Sequence, residues 1–244
     1  MDYALDKITA PRLGMVVLST DETLEDEARV VLNGQNARLM HSRIYSHEQV
    51  TPESLKAMEA LMPASAELLP QGLDAIAYGC TSASVMMGPD AVARQIGTVQ
   101  PGVPVTNPIS AVVAALKGLG VSRIGLVTPY TAQVAGPMRD FLAREGIETL
   151  HEVSFGEQDD RNVARISETS TLAAIEQAGR VEGVEAVFAS CTNLRAFGII
   201  DEAEARLGLP VLSSNLALIW HALRLAGANP QGWGPGRLFS QDQS

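Results

Sequence analysis

"AYGCTSAS" at Ala77–Ser84 and "FASCTNLR" at Phe188–Arg195 hold the only two cysteines of the 244-residue chain, and the same local pattern surrounds both. A short apolar run ends at a small residue, the cysteine follows, and Thr comes next. Cys80 and Cys191 stand 111 residues apart. The same spacing separates "RLGMVVLST", which begins at Arg12, from "RIGLVTPYT", which begins at Arg123. Beyond the cysteines, "GVPVTN" from Gly102 and "GLPVLSSN" from Gly208 each lead into an apolar helix, with the spacing shortened to 106 by a loop deletion. Two distant pairs at one offset mark an internal duplication of a unit of roughly 110 residues.

The repeated unit reads as alternating strands and helices. Apolar runs at Leu13–Leu18, Ala75–Tyr78, Ile124–Thr128, Ala186–Ala189 and Val211–Ser213 are bounded by Gly, Pro or polar residues, as buried parallel strands are. Helical spacing fills Glu22–Leu32, Pro52–Leu69, Ile109–Leu119, Ala132–Glu145, Ser170–Gly179 and Ala217–Ala226. This pattern predicts an α/β fold of two pseudo-symmetric lobes, each a mainly parallel sheet covered by helices. The lobes are expected at residues 1–107 and 108–214, with 215–244 completing the first. Ligands of such sheets bind beyond the carboxyl ends of the strands. Cys80 and Cys191 lie there, and so do Ser19–Asp21 and Tyr130–Thr131. If the lobes face each other, both thiols reach one cleft from opposite sides.

Composition narrows the function. The chain is 46% hydrophobic and 19% charged, so it can bury a large core and is not a disordered chain. A net charge of −10 without a basic stripe argues against nucleic acid or an anionic membrane as partner. No signal segment and no membrane-length apolar run is read, and two cysteines make no disulfide framework. The expectation is a soluble cytoplasmic protein with reduced thiols, compatible with a homo-oligomer.

A lone buried cysteine is usually a small hydrophobe, but two at equivalent strand ends point to chemistry. No CxxC or clustered His suggests a metal, and His41, His47, His151 and His221 form no useful spacing. After the thiols come Thr81 and Ser82 in one half, Thr192 and Asn193 in the other. Their side chains and nearby amides suit either a bound carboxylate or ordinary helix capping. Tyr130 is placed to donate a hydrogen bond or to pack at a boundary. The acids of "STDETLEDE" (Ser19–Glu27) suit a helix start. The polar "DDRNVARI" (Asp159–Ile166) fits a cap or a cleft loop.

With these residues in view, the chain resembles the aspartate/glutamate racemase superfamily, in the branch of maleate cis-trans isomerases and arylmalonate decarboxylases. The pieces that carry the resemblance span almost the whole chain: "GMVVLSTDETLEDE", "YGCTSAS", "VTPYTAQV", "DDRNVARI", "ASCTNLR", "PVLSSN" and "GPGRLF". It implies a site between two α/β lobes, no metal and no organic cofactor. It implies catalytic roles for Cys80 and Cys191, and carboxylate binding by Thr81, Ser82, Tyr130 and Thr192. Three positions depart from its patterns. Asp21 stands where maleate isomerases carry Asn, and Asp159–Asp160 stands where they carry Asp-Asn. Cys80 stands where the decarboxylase carries Gly. An anion at Asp21 repels a second substrate carboxylate; it suits an ammonium or amidine, or a role in orienting Cys80 such as an acid has in glutamate racemases. The resemblance extends to members of this branch encoded for ectoine breakdown.

The expected function is a cofactor-independent racemase or isomerase of a small carboxylate, using two-cysteine proton transfer. Ser19, Asp21, Asp160 and Asn193 join the residues above as expected substrate contacts. The alternatives are cis-trans isomerisation by thiolate addition, decarboxylation of malonate-like acids, and carboxylate binding without catalysis.

Overall fold

A computed structural model describes residues 1–240. Eight strands form two four-stranded sheets. The first holds β1 (Arg12–Leu18), β2 (Arg38–Ile44), β3 (Ala75–Gly79) and β4 (Val105–Thr106), in the order β2-β1-β3-β4. The second holds β5 (Arg123–Thr128), β6 (Glu148–Ser154), β7 (Ala186–Ala189) and β8 (Val211–Ser213), in the order β6-β5-β7-β8. Every pair is parallel, so each connection crosses over a sheet face, mostly through helices.

The duplication extends to the register. Leu13 pairs with Ala75 and Val16 with Tyr78, while Ile124 pairs with Ala186 and Val127 with Ala189. Each member of the second set lies 111 residues after its counterpart. Gly14 and Gly125 share this relation, and neither tolerates a side chain. A Cβ on Gly14 would meet Leu73 at 2.6 Å, and one on Gly125 would meet the Ala178 carbonyl at 2.6 Å. Gly125 lets the helix Glu168–Gly179 close onto its sheet, and Gly14 leaves room for the leucines of the segment before β3.

Three sequence expectations change. β2 and β6 are edge strands with half-exposed, polar-interrupted patterns, so they lack the continuous apolar run of the central strands. The helix expected over Pro52–Leu69 is broken into Pro52–Ala57, a tighter turn at Met58–Leu61, and Met62–Glu67. Pro63 has no N–H to give to the preceding turn, and its ring excludes a continuous helix there. Two further helices, Thr81–Met87 and Pro89–Gly97, follow Cys80 directly.

The helix Ser214–Leu225 leaves β8 and packs on the helix Pro108–Gly118 and on β3 of the first sheet. It is apolar nearly all round, and Leu216, Leu218 and Leu223 are fully buried. Each such leucine contributes about 1.5–3 kcal/mol by leaving water. The carboxyl ends of β3 and β7 are thereby held on either side of one cleft. Among the described residues, no helix is long and apolar enough to cross a membrane.

Candidate active site

Cys80 follows β3 directly and caps the helix Thr81–Met87, with ordinary extended torsions (φ −151°, ψ 115°). Its Sγ lies 3.7 Å from Ser82 Oγ. Cys191 follows β7 by two residues and has φ 114°, the one positive φ at a non-glycine residue among those described. Such a conformation costs a side chain about 1–3 kcal/mol and persists only where its surroundings enforce it. Here the Cys191 N–H donates to Ser214 Oγ (3.0 Å), and the Asn193 N–H donates to Cys191 Sγ (3.4 Å).

Both thiols line one enclosed cavity of about 20 Å³, room for roughly one water, so a substrate seated between them requires the lining to move apart. Ser82, Tyr130, Asp160 and Thr192 share its wall. Tyr130 is buried beside both thiols, and its hydroxyl is held protonated well above its ordinary range, first by burial and then by the two cysteines. His47, Val50, Ser54 and Met58 form the roof. The roof segment is strapped to the other lobe. Val50 N–H donates to the Gln158 carbonyl and Asp160 N–H to the Glu48 carbonyl, both at 2.9 Å, and Arg161 pairs with Glu48 at 3.0 Å. Outside lies an open groove of about 820 Å³, lined by residues that include Ser19, Tyr45, His47, Glu48 and Glu53.

Burial dominates the electrostatics. It pushes the Cys80 thiol up to about 12, against the Ala83 N–H and Ser82, which favour the thiolate. The Cys191 thiol is also pushed well above its ordinary value, first by burial and then by Asp160, while Tyr130 and the Asn193 N–H oppose the shift. Asp21 adds to the upward push on both thiols. Asp160 is itself pushed up to about 6 by burial, with Thr20 opposing. Among the described residues, no Lys or Arg lines the cavity or the groove, and no group of three His, Cys, Asp or Glu is placed to hold a metal.

Six of the ten candidate residues thus share the cavity wall: Cys80, Ser82, Tyr130, Asp160, Cys191 and Thr192. The other four stand elsewhere. Ser19 lines the outer groove and exchanges hydrogen bonds with Ser46. Asp21 is buried, and its Oδ1 accepts the Thr23 and Leu24 N–H groups at the start of the helix Leu24–Leu32. Thr81 bonds Ser214 Oγ at 2.8 Å. The Asn193 amide is occupied by protein groups: Oδ1 accepts from the Glu22 N–H, and Nδ2 donates to the Asp160 and Thr20 carbonyls. These last three side chains make hydrogen bonds that organise the loops around the cavity.

Ser214 was not read from the sequence as a site residue, yet it bonds both cysteine loops, through Thr81 and through the Cys191 N–H. Its neighbour Asn215 donates to the Thr192 carbonyl and to the buried Glu27 carboxyl, both at 2.7 Å. Glu27 also accepts the Ala196 and Phe197 N–H groups, and burial pushes it up to about 7. Apart from its share in the resemblance, the "SSN" at Ser213–Asn215 carries the signal of a helix start and no sign of a tie, because its partners lie far away in sequence.

Comparison with known proteins adds to this geometry. A family model described as arylmalonate decarboxylase matches residues 13–239. The arylmalonate decarboxylase of Bordetella bronchiseptica is 34% identical, over 79% of this chain and 82% of that protein. The maleate isomerase of Alcaligenes faecalis is 27% identical, over 94% of this chain and 96% of that protein. Among solved structures, a cysteine-to-serine variant of the Nocardia farcinica maleate cis-trans isomerase, with a covalently bound succinylcysteine intermediate, superimposes with a TM-score of 0.84. It is 27% identical, covering 96% of this chain and 99% of that one.

Proposed function

This chain belongs to the arylmalonate decarboxylase family, and within it we propose an isomerase that inverts a stereocentre of a small carboxylic acid by proton transfer between Cys80 and Cys191. One observation carries the reading: duplicated positions at the ends of β3 and β7 bring two thiols to the wall of a single cavity. Inversion needs a base on one face of the carbon and an acid on the other, which matched thiols from opposite lobes supply.

In one direction the Cys80 thiolate removes the proton beside the carboxylate. The electron pair moves into the carboxylate as an enediolate, and the Cys191 thiol delivers its proton to the opposite face. The Cys80 thiol and Cys191 thiolate that remain are set for the reverse reaction. Ser82 and Tyr130 line the same cavity, and in this reading their hydroxyls supply the donors that a developing enediolate oxygen needs. Every step in this reading moves a proton between side chains and substrate. The cleft would lie between lobes spanning 1–107, completed by 215–244, and 108–214.

A second reading has support of its own. The maleate isomerase relatives, and the succinylcysteine adduct in the Nocardia structure, favour thiolate addition to an alkene, rotation and elimination. Chiral chromatography of small chiral carboxylates incubated with the wild type, Cys80→Ser and Cys191→Ser separates the two, beside intact-mass analysis with maleate. Inversion lost in both variants, with no maleate adduct, is the expected result. Interconversion that survives Cys191→Ser, with an adduct on Cys80, would transfer the assignment to the second reading.

A further inference from the structure

Resting on the assignment of this cavity as the active site, we propose that the substrate carries a protonated amine or amidinium besides its carboxylate, and that Asp160 is the residue that recognises this cation. Asp160 is the one carboxylate in the cavity wall, shared with both thiols, and it is 4% exposed. Its Oδ2 accepts a hydrogen bond from Thr20 Oγ1 at 2.6 Å, and the Asn193 side chain also assists it. Among the described residues it makes no ion pair. Of the nearby arginines, Arg165 is exposed and lies close enough to act on Asp159, and Arg43 and Arg161 are engaged elsewhere. Arg43 binds the Leu18 and Asp21 carbonyls and pairs with Glu25. Arg161 pairs with Asp159 and Glu48.

A buried carboxylate without a cation is costly unless it is neutralised or paired. The surroundings deepen the imbalance. Asp21 lies close enough to Asp160 to repel it, and its Oδ2 is buried with no partner. The approach groove adds Glu53, and Glu48 with its Arg161 partner, against His47. The chemistry then adds a thiolate to this region. A dicarboxylate would bring two more anions into a wall that offers hydroxyls and a carboxylate but no Lys or Arg. An ammonium seated on Asp160 offsets the charge instead, while the substrate carboxylate meets the hydroxyls of Ser82 and Tyr130.

The same contact has a chemical consequence. Asp160 is among the groups that hold both thiols protonated. A cation beside it weakens that field and favours the thiolate, so the substrate's own charge helps to generate the base. The competing role for Asp160 is that of a neutral acid donating to a substrate carboxylate. That role makes the opposite prediction for an Asp160→Asn variant, because an amide also donates.

The test uses two probes of similar length, succinate and 4-aminobutyrate, with binding measured by titration calorimetry at pH 8 and thiolate by absorbance at 240 nm. The wild type is expected to bind 4-aminobutyrate at least tenfold more tightly than succinate. Asp160→Asn, whose folding is verified by thermal unfolding, is expected to lose or reverse that preference. In the wild type, affinity for 4-aminobutyrate should rise as the pH passes through about 6, and binding should raise the thiolate signal. Tighter binding of succinate by the wild type, an unchanged preference in Asp160→Asn, or no thiolate signal on binding overturns the proposal. None of these readouts needs turnover. Asp160-dependent binding of 4-aminobutyrate by a protein that inverts no carboxylate would instead sink the reaction assigned above and leave the recognition standing.

Discussion

Exchanging each cysteine for Ala and for Gly measures the strain at Cys191. Both positions are almost fully buried, at 3% for Cys80 and 5% for Cys191, so the two pairs of substitutions share most of their costs. At Cys80 the torsions suit any residue. Gly there should be worse than Ala by about 1.5 kcal/mol, from ~0.5–1 kcal/mol of added chain entropy and ~0.8 kcal/mol for a lost buried methyl. At Cys191 the same two terms apply, but φ 114° burdens Ala and not Gly by about 1–3 kcal/mol. Gly at 191 should therefore match or exceed Ala, by about 0.5 kcal/mol at the middle of that range. The difference between the two sites isolates the strain, at about 2 kcal/mol. Urea unfolding with common m-values reads all four variants. A Gly penalty of equal size at both sites would refute the claim that Cys191 is held in a strained conformation.

Other expectations follow from the same geometry. Ser214→Ala leaves the buried Cys191 N–H without its partner and should cost about 1–3 kcal/mol in urea unfolding; a loss under a few tenths would show that Ser214 does not hold the loop. Iodoacetamide should label Cys80 slowly at pH 7 in the free protein and faster toward high pH, because burial pushes that thiol up to about 12; mass spectrometry of fast labelling at neutral pH would contradict this. Glu27 is pushed up from the ordinary carboxyl range to about 7 in the folded chain. The folded state therefore holds its proton more tightly, and its contribution to stability, complete at low pH, is lost as pH rises from about 4.5 to about 7. The loss is about 3 kcal/mol at most, and urea unfolding at pH 5 and pH 8 should show it, with Glu27→Gln flattening the dependence. Asp21→Asn keeps an acceptor for the Thr23 and Leu24 N–H groups but removes a negative charge near Asp160, so calorimetry with succinate and 4-aminobutyrate should find the preference for 4-aminobutyrate weakened but kept, in contrast to its loss in Asp160→Asn.

The duplication made the two lobes legible, because identical spacing in the sequence became identical register in the sheets. Buried central strands announce themselves as apolar runs. The edge strands β2 and β6 do not, since one side of each meets solvent or loops and admits Arg, His and Glu. The thiols and their neighbouring hydroxyls were legible for the same reason as the central strands: they follow them directly. Asp21 and Asp160 show where linear reading ends. Both are acids in polar turns at strand ends, and only the packing of the lobes decides that one caps a helix and the other enters the cavity wall. The roof from Ser46 to Met58 and the tie through Ser214 depend wholly on contacts between distant segments, which leave no local pattern of charge or hydropathy.

Proton NMR in D₂O addresses the exchange of protons between Cys80 and Cys191 most directly. Small chiral carboxylates bearing an amine are incubated with the wild type and with each cysteine-to-serine variant, and the early time course is followed. Two opposed thiols predict deuterium at the inverted carbon of the product while unreacted substrate keeps its proton, with inversion absent from Cys80→Ser and from Cys191→Ser. Isomerisation that proceeds without solvent deuterium, or that survives the loss of either thiol, would contradict the account.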